Sequence, residues 1–399
     1  MHIGYVIPVF PFASETFITR EVVGLRALGV KITVFTVADV PAADVAKLPP
    51  EVAALQADNV KVDRAQMARA AFTNPLGRAG RLNVKLQAAA TLKSNFAARW
   101  LRASGLGRMA REAKVDALHA HWPYGTQLAA LASMQTGIPF SCSVHAHEVE
   151  YDWGHLPVVL PEARFVAFCN GAAMARLATR MPDRAVGPNW RLIYHGVNLD
   201  GFKHTPIPAP AVPFRLVTIG RLTPSKGFDR LLTAIRATLD AGVPVDLTIV
   251  GDGSQRENIT NRIAELRLGE NVHLAGWIRH DAVAALIAGA HAVVLLADAS
   301  YNDGLPNIVL EAMSCGRPVV LTPLPAAVEV IREGRGGVVL SRLDAFDEFT
   351  AAIRHWATDH DALVTAGLQA RDVVVADFDE RAQLRRMLAE MQAHKKAGS

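Results

Sequence analysis

The stretch DGLPNIVLEAMSCG, residues 303–316, decides how the rest of this 399-residue chain is read. Gly304 and Leu305 turn the chain after a strand, and Pro306 suits the first position of a helix. Ile308, Leu310, Ala312 and Met313 supply a face that packs inward, Gly316 stops the helix, and Arg317-Pro318 leads into the next strand. The backbone N–H groups of Asn307, Ile308 and Val309 are then expected to be free at the positive end of the helix dipole, an anion site fit for a phosphate. Glu311, one turn below Asn307 on the same face, is placed to accept hydrogen bonds from a ribose diol. The plainer reading of the same residues is a strand, a turn and a helix with a solvated Asp303 and Glu311.

Outward from this stretch, strands and helices alternate almost throughout. Strands are expected at residues 215–219, 246–250, 272–275, 292–296 and 318–322, and in the first half at 2–10, 30–37, 117–121 and 140–145, with a helix over 15–28. Such alternation predicts an α/β chain with parallel sheets covered on both faces. Prolines at 206, 208, 210 and 213 mark residues 205–213 as a stiff linker and hinge. The expected layout is a first domain over residues 1–200, the linker, a second domain over 214–376 and a last helical segment over 377–399. Two doubly wound, Rossmann-like domains joined in this way are expected to face each other across a cleft and to hold ligand there.

Composition narrows the class. Half the residues are hydrophobic and 20% are charged, which excludes disorder. Cys142, Cys169 and Cys315 are scattered without a CxxC, so neither a disulfide framework nor a cysteine-built zinc site is expected, and a cytoplasmic location is. The first 19 residues lack a basic start and carry Glu15, so no secretory signal is read there. Residues 282–297 are uncharged for 16 residues, short of a membrane span. Residues 61–114 hold twelve Lys and Arg against Asp63 and Glu112, a local balance of +10 in a chain of net charge +4. Leu82, Leu86, Leu92, Phe96, Trp100 and Leu101 recur among these cations. That pattern suits peripheral attachment to an anionic membrane surface or an acidic acceptor, and equally a solvated helical pair. No zinc finger, recognition helix or aromatic-studded strand accompanies the charge, so nucleic acid is not an expected partner.

The second chemical cluster is GRLTPSKG, residues 220–227, where Arg221 and Lys226 follow a strand and Gly227 opens a helix. Two cations there suit a pyrophosphate leaving group; they also occur at ordinary surface loops. Gly251 in GDGS, residues 251–254, closes the next strand with a tight turn. Neither it nor the first turn, VFPFASETF, is a GxGxxG fingerprint, which counts against a nicotinamide enzyme. Ser14 or Thr16 is expected to cap the first helix, with Glu15 binding an acceptor hydroxyl or favouring the helix dipole. His119 with His121, and His145 with His147, form HxH pairs that share a strand face; a zinc site is open to them, but no third carboxylate motif joins them, and no metal is expected. DFD, residues 377–379, precedes a helical run and is read as a cap.

GRLTPSKG, VGDGS, LAGW (ending at Trp277) and DGLPNIVLEAMSCGRPVV together resemble the family 4 retaining glycosyltransferases of GT-B fold. In the first half, IPVFPFASETFITREV, HAHWPYG and SVHAHEV look like the branch that builds bacterial exopolysaccharide, of the colanic-acid type. IYHGVNLDGF, residues 193–202, is similar to the family's segment ahead of the second domain. The resemblance implies that Asp303 faces the donor-sugar hydroxyls and Glu311 the nucleotide ribose. It implies a diphosphate site at Arg221 and Lys226, with Gly220, Gly251, Trp277, Gly304, Leu305, Pro306, Asn307, Ile308 and Val309 around the donor. His145 is implied near the donor sugar, and Ser14, Glu15, Thr16 and His121 on the acceptor side. The chain departs from the family in three places. Asp303 stands for a glutamate, Ala13-Ser14-Glu15-Thr16 for an early Gly-Gly turn, and LPAAVE, residues 324–329, for a paired glycine before Glu329.

The function implied is hexosyl transfer, with retention and without metal or cofactor, from a UDP- or GDP-sugar to a glycan or lipid-linked oligosaccharide in polysaccharide biosynthesis. The alternatives are a nucleotide-sugar epimerase or a phosphorylase-like enzyme on the same fold, a non-catalytic nucleotide- or membrane-binding module, and a dehydrogenase. The last helix, over residues 380–394, is implied to return to the first domain.

Overall fold

In the computed structural model the described residues are 1–12, 15–63, 65–66, 96–145, 154–181, 186–298 and 306–393. Asp303, Gly304, Leu305, Ser14, His147 and most of the basic stretch lie outside them. The chain divides into two compact units, one of Met1–His195 with the residues from Ala382 onward, the other of Gly196–Arg381.

The first unit is built on seven parallel strands. They are β1 (His2–Val6), β2 (Lys31–Thr36), β3 (Asn59–Lys61), β4 (Ala117–His121), β5 (Phe140–Val144), β6 (Val166–Phe168) and β7 (Trp190–Leu192). Their order is β3-β2-β1-β4-β5-β6-β7. Every residue of β1, β5 and β6 is buried, as a sheet covered on both faces requires. One face packs Leu118, Cys142 and Val166 beneath the helices Phe96–Glu112 and Trp122–Thr136. The other packs Ile3, Tyr5 and Val34 against Ile18, Val22 and Leu25 of the helix Thr16–Ala27. The last helix, Glu380–Ala393, adds Leu384, Met387 and Met391 to that second face. It is fastened there by Arg191 to Glu390 at 2.9 Å and by the Tyr194 N–H to Gln383 at 3.2 Å.

The second unit repeats the plan with six parallel strands. They are β8 (Phe214–Ile219), β9 (Val245–Val250), β10 (Val272–Gly276), β11 (Ala292–Leu295), β12 (Val319–Leu321) and β13 (Gly337–Val339), in the order β10-β9-β8-β11-β12-β13. The longer strands fall where the sequence pattern places them. The first ends earlier, at Val6: the Ile7 N–H still reaches Phe35 O and Pro8 O accepts from Val37 and Ala38, but Pro8 has no N–H with which to extend the ladder.

The proline-rich segment corrects an expectation. The change of unit falls at His195–Gly196, and residues 205–213 belong to the second unit, held there by Arg317. This side chain is 0% exposed, and its guanidinium fans onto Thr205 O, Thr205 Oγ1, Pro206 O, Ala288 O, Ala290 O and Cys315 O at 2.7–3.0 Å. Burial draws its pKa down to about 10, which leaves it charged at neutral pH. His291 takes the Arg215 N–H on Nδ1 at 2.8 Å, so its Nε2 donates to Ala209 O at 3.3 Å. A segment tied at Thr205, Pro206 and Ala209 is part of the packed second unit.

The described part of the basic stretch also packs inward. Ala103, Leu106 and Ala110 are core, and Trp100 leans on them. Arg99 bonds Gln127 at 2.7 Å, Arg102 bonds Tyr124, and Arg111 bonds Thr136 O at 2.8 Å. These cations act within the unit. Among the described residues, no helix is long and apolar enough to cross a membrane.

Replacing Arg317 with Met keeps the volume and removes every donor. Several carbonyls then lose a partner, and urea unfolding of the full chain is expected to show a loss of about 3 kcal/mol or more. A loss under about 1 kcal/mol would show that the fan does not hold the segment.

Candidate functional site

In the second sheet the strand order reverses between β8 and β11, and the loops leaving these strands diverge there. Gly220 follows β8 and donates its N–H to Val250 O at 3.0 Å. Gly251 follows β9 with φ +140°, and a Cβ on it would lie 1.9 Å from Gly220 O. The two exits therefore close onto bare backbone. The chain runs through the exposed Arg221 into a single turn, Pro224–Lys226, with Lys226 half-buried beside Gly220. Gly227 takes φ +67°, and a Cβ there would stand 1.9 Å from Leu296 O. It precedes the helix Phe228–Asp240, which starts one residue later than expected.

That contact joins the loop after β8 to the loop after β11. Asp298 donates its N–H to Ser225 O at 2.9 Å, and Arg230 bonds Leu296 O at 2.8 Å and Asp298 at 3.4 Å. Arg230, which the sequence reading did not single out, thus laces the two loops that flank the reversal.

The helix Asn307–Ser314 corrects part of the anion-site expectation. Pro306 is extended and stands just before it, and the Val309 N–H is already given to Pro306 O at 3.0 Å. Asn307 and Ile308, at the first two positions, precede any carbonyl the helix itself can offer. Ile308, Leu310, Ala312 and Met313 are buried as the pattern predicts, and Val309 and Glu311 are buried with them, the carboxylate at 6% exposure. A carboxylate on so apolar a helix is the feature to explain. Trp277, just past β10, is 62% exposed.

In the first unit the order reverses between β1 and β4. His119 and His121 lie on one face of β4, and both reach the buried Glu21 of the helix Thr16–Ala27 (Nε2 to Oε1 3.7 and 3.2 Å). The Tyr5 hydroxyl donates to the same oxygen at 2.7 Å. Both nitrogens of His119 are engaged by serines, Ser141 at 2.8 Å and Ser143 at 3.0 Å. His121 Nδ1 lies 3.1 Å from Nε2 of His145, the residue after β5, with the rings 14° from parallel. Phe17, Trp122 and His195 wall the His145 ring, with centroids 5.0, 4.7 and 5.4 Å away. Trp122 adopts φ +66°, a left-handed backbone rare for a bulky residue, and its Nε1–H meets Glu15 at 3.2 Å.

These contacts set the charge states. Burial pushes the Glu21 carboxyl up, but His121, His119 and the Tyr5 hydroxyl outweigh it and hold the group at about 2. Burial draws His119 and His195 down to about 3, and it drives His145 well below the usual imidazole range with help from its histidine neighbours. Glu15 is raised by burial.

The structure also places the described acceptor-side candidates. His121 is wholly buried, with its ring nitrogens engaged by His145 and Glu21. Thr16 is the first helical residue and exposed, and among the described residues no side chain caps that helix; Glu15 occupies the cap position but reaches Trp122. The Asp379 carboxylate accepts the Arg381 N–H at 3.2 Å, which makes DFD a cap as read. Donor atoms of Glu21, His119 and His121, and again of His145, Cys169 and His195, lie within 4.8 Å of one another. In the first group serines, a tyrosine and a histidine already engage the donors. Glu21, Tyr5 and His195 were not among the expected site residues. The available signal was a carboxylate on the apolar stripe Ile18, Val22, Leu25.

A family model described as glycosyl transferases group 1 matches residues 213–359, and one described as a glycosyl transferase 4-like domain matches residues 13–188. The chain belongs to the family 4 glycosyltransferases, with the two α/β sheets of the GT-B fold. It is 28% identical over 200 residues to the putative colanic acid biosynthesis glycosyltransferase WcaL of Salmonella typhimurium, covering 49% of each chain. It is 27% identical over 260 residues to a GDP-mannose-dependent phosphatidylinositol monomannoside mannosyltransferase of Mycobacterium tuberculosis, covering 59% of this chain and 65% of that one. The chain spans about half the length of the first curated relatives it matches. Among solved structures, HepE of Anabaena in complex with UDP superposes with a TM-score of 0.73 at 18% identity, covering 99% of this chain and 100% of that one.

The buried imidazoles make the first unit acid-sensitive. The unfolded chain protonates its histidines below about pH 6.5, whereas His119 and His195 stay neutral in the fold down to about 3. Their contribution is therefore complete above about pH 6.5 and is lost as pH falls toward 3. Each costs about 1.4 kcal/mol per pH unit across that window. The Glu21 contribution, present above its unfolded value near 4.5, is lost in the same direction as pH falls toward 2. Urea titrations between pH 7 and 4 are expected to show stability falling steadily, and His195→Gln should flatten the slope by up to one proton. A slope unchanged in that variant would mean that His195 is protonated in the fold.

Proposed function

We propose that the protein transfers a hexose-type sugar, with retention and without metal, from a UDP- or GDP-sugar to a glycan or lipid-linked oligosaccharide during polysaccharide assembly. The observation that carries this reading is the arrangement after β8: glycine-closed strand exits at Gly220 and Gly251, with Arg221 and Lys226 beside them at the reversal of strand order. Such backbone admits a diphosphate closely, and the cations meet the negative charge that grows on it as it leaves. Glu311 holds the ribose diol, the N–H groups of Asn307 and Ile308 face phosphate oxygen, and Asp303 faces the sugar hydroxyls. The relatives named for colanic acid and lipopolysaccharide core synthesis, and the UDP complex of HepE, favour the same donor chemistry.

In this reading the anomeric carbon–phosphate oxygen bond breaks as the acceptor oxygen attacks from the same face. The acceptor's proton passes to the departing phosphate oxygen, so no protein carboxylate forms a glycosyl bond. The protein's work is positioning and electrostatic stabilisation.

Calorimetry with UDP, GDP, ADP and NAD, all in EDTA, tests the reading directly. One nucleoside diphosphate is expected to bind without metal; binding of NAD alone, or of a diphosphate only once metal is restored, would overturn it. Glu311→Ala should weaken that nucleotide by about 1.5–3 kcal/mol, as loss of charge-assisted hydrogen bonds does, and an unchanged Kd would remove Glu311 from the site. Arg221→Ala should lower kcat more than it weakens donor binding. Equal losses would assign the cation to ground-state binding instead.

A further inference from the structure

Glu21 has no part in the reaction just described, yet among the described residues it is the first unit's one buried carboxylate. Its helix buries Ile18, Val22 and Leu25 against the sheet, and Glu21 goes in with them. A carboxylate so placed persists only if its lone pairs are met. Tyr5 meets Oε1 at 2.7 Å and His121 Nε2 at 3.2 Å. An ionised carboxylate has nothing to donate, so His121 carries its proton on Nε2. The other nitrogen of His121 then faces His145 Nε2 at 3.1 Å, a gap that holds a single proton. The bonds thus run unbroken from the Glu21 carboxylate to the imidazole at the end of β5.

We propose that Glu21 is a positioning residue for sugar transfer, acting through His121 to set the ring plane and the protonated nitrogen of His145. The proposal rests on the reading that this chain transfers a sugar with His145 beside the donor. Two physical consequences follow from the chain of bonds. The stacking of His145 on His121, held by Glu21, fixes the plane in which His145 meets a substrate. The carboxylate also fixes the proton of His121 on Nε2, which leaves Nδ1 an acceptor and calls for the proton of His145 on its own Nε2. A neutral imidazole offers hydrogen bonds to a sugar whose carbon gains positive character as its bond to phosphate breaks, and an imidazolium would oppose that charge. Among the described residues, the other titratable or charged groups packed on this chain are Tyr5, His119, His195, Arg20 and, through Trp122, Glu15.

The test compares Glu21→Gln, which keeps the shape and removes the charge, with Glu21→Asp and the wild type, all as the full chain. Nitrogen NMR of histidine-labelled protein reads the protonated nitrogen of His145, its signals assigned by their loss in His145→Gln. In Glu21→Gln those signals are expected to move, and kcat to fall at least about tenfold while donor KM stays within about twofold; Glu21→Asp should recover part of kcat. Unchanged His145 signals would overturn the proposal, as would changed signals with an unchanged kcat. A joint fall of kcat and melting temperature that Glu21→Asp does not relieve would also overturn it, in favour of a purely structural carboxylate. A wild-type protein that transfers from no nucleotide sugar would overturn the transferase reading instead, an outcome read in the activity assay and not in the spectrum.

Discussion

A parallel sheet covered on both faces can place polar chemistry only at its ends, and both units of this protein are organised by that constraint. Strands β1, β5, β6, β11 and β12 are buried at every residue, so a charged side chain within them must carry its own partners. At the carboxyl ends the ladder stops, helices begin, and backbone groups come free. Each sheet reverses its strand order once, between β1 and β4 and between β8 and β11. The residues of chemical interest gather after those strands and their neighbours for that reason.

The two units meet the constraint in opposite ways. In the second, Gly220, Gly227 and Gly251 remove side chains so that adjoining loops touch backbone to backbone, and the cations Arg221 and Lys226 stay partly in solvent. In the first, polar groups go inside. His119 lies in mid-strand and is tolerated because Ser141 and Ser143, on the neighbouring strand, satisfy both its nitrogens. Glu21 is tolerated because Tyr5 and His121 meet it. Arg317 shows the same rule in the second unit, where a wholly buried guanidinium is matched by acceptors on every side and used for architecture. A buried charge is affordable only when its hydrogen-bonding capacity is filled.

What was legible in the sequence follows from the range of each interaction. Strands of four to six residues announce themselves by local pattern, as does the short β12 between Arg317-Pro318 and Pro323; β3, β6, β7 and β13, three residues each, do not. The burial of the helix Asn307–Ser314 could be read from its apolar spacing, but the loss of the Val309 N–H to Pro306 O depends on the conformation of one residue before the helix. Four prolines in residues 205–213 were visible. The guanidinium that pins them was not, because its acceptors come from positions 205, 206, 288, 290 and 315, and no local pattern joins these. The burial of His121 was not legible, because a motif records the order of residues and not their depth. Glu21 stood in view as a carboxylate on an apolar stripe, the kind of local inconsistency that marks a polar network.

The distribution of charge between the units bears on the chemistry proposed for them. The groups assigned to the diphosphate are permanent cations on a partly solvated loop, whereas burial holds His145 and His195 well below the ordinary imidazole range. In the transfer proposed above, a cation beside the phosphate would draw electrons toward the departing oxygen, and an uncharged imidazole beside the sugar would spare a carbon that is losing them. A lysine at position 145 would only donate hydrogen bonds and would carry the wrong charge. An uncharged histidine keeps the hydrogen bonding alone, provided that something determines which of its nitrogens carries the proton. Within the first unit, the group with the charge and the bonded connection to do that is Glu21.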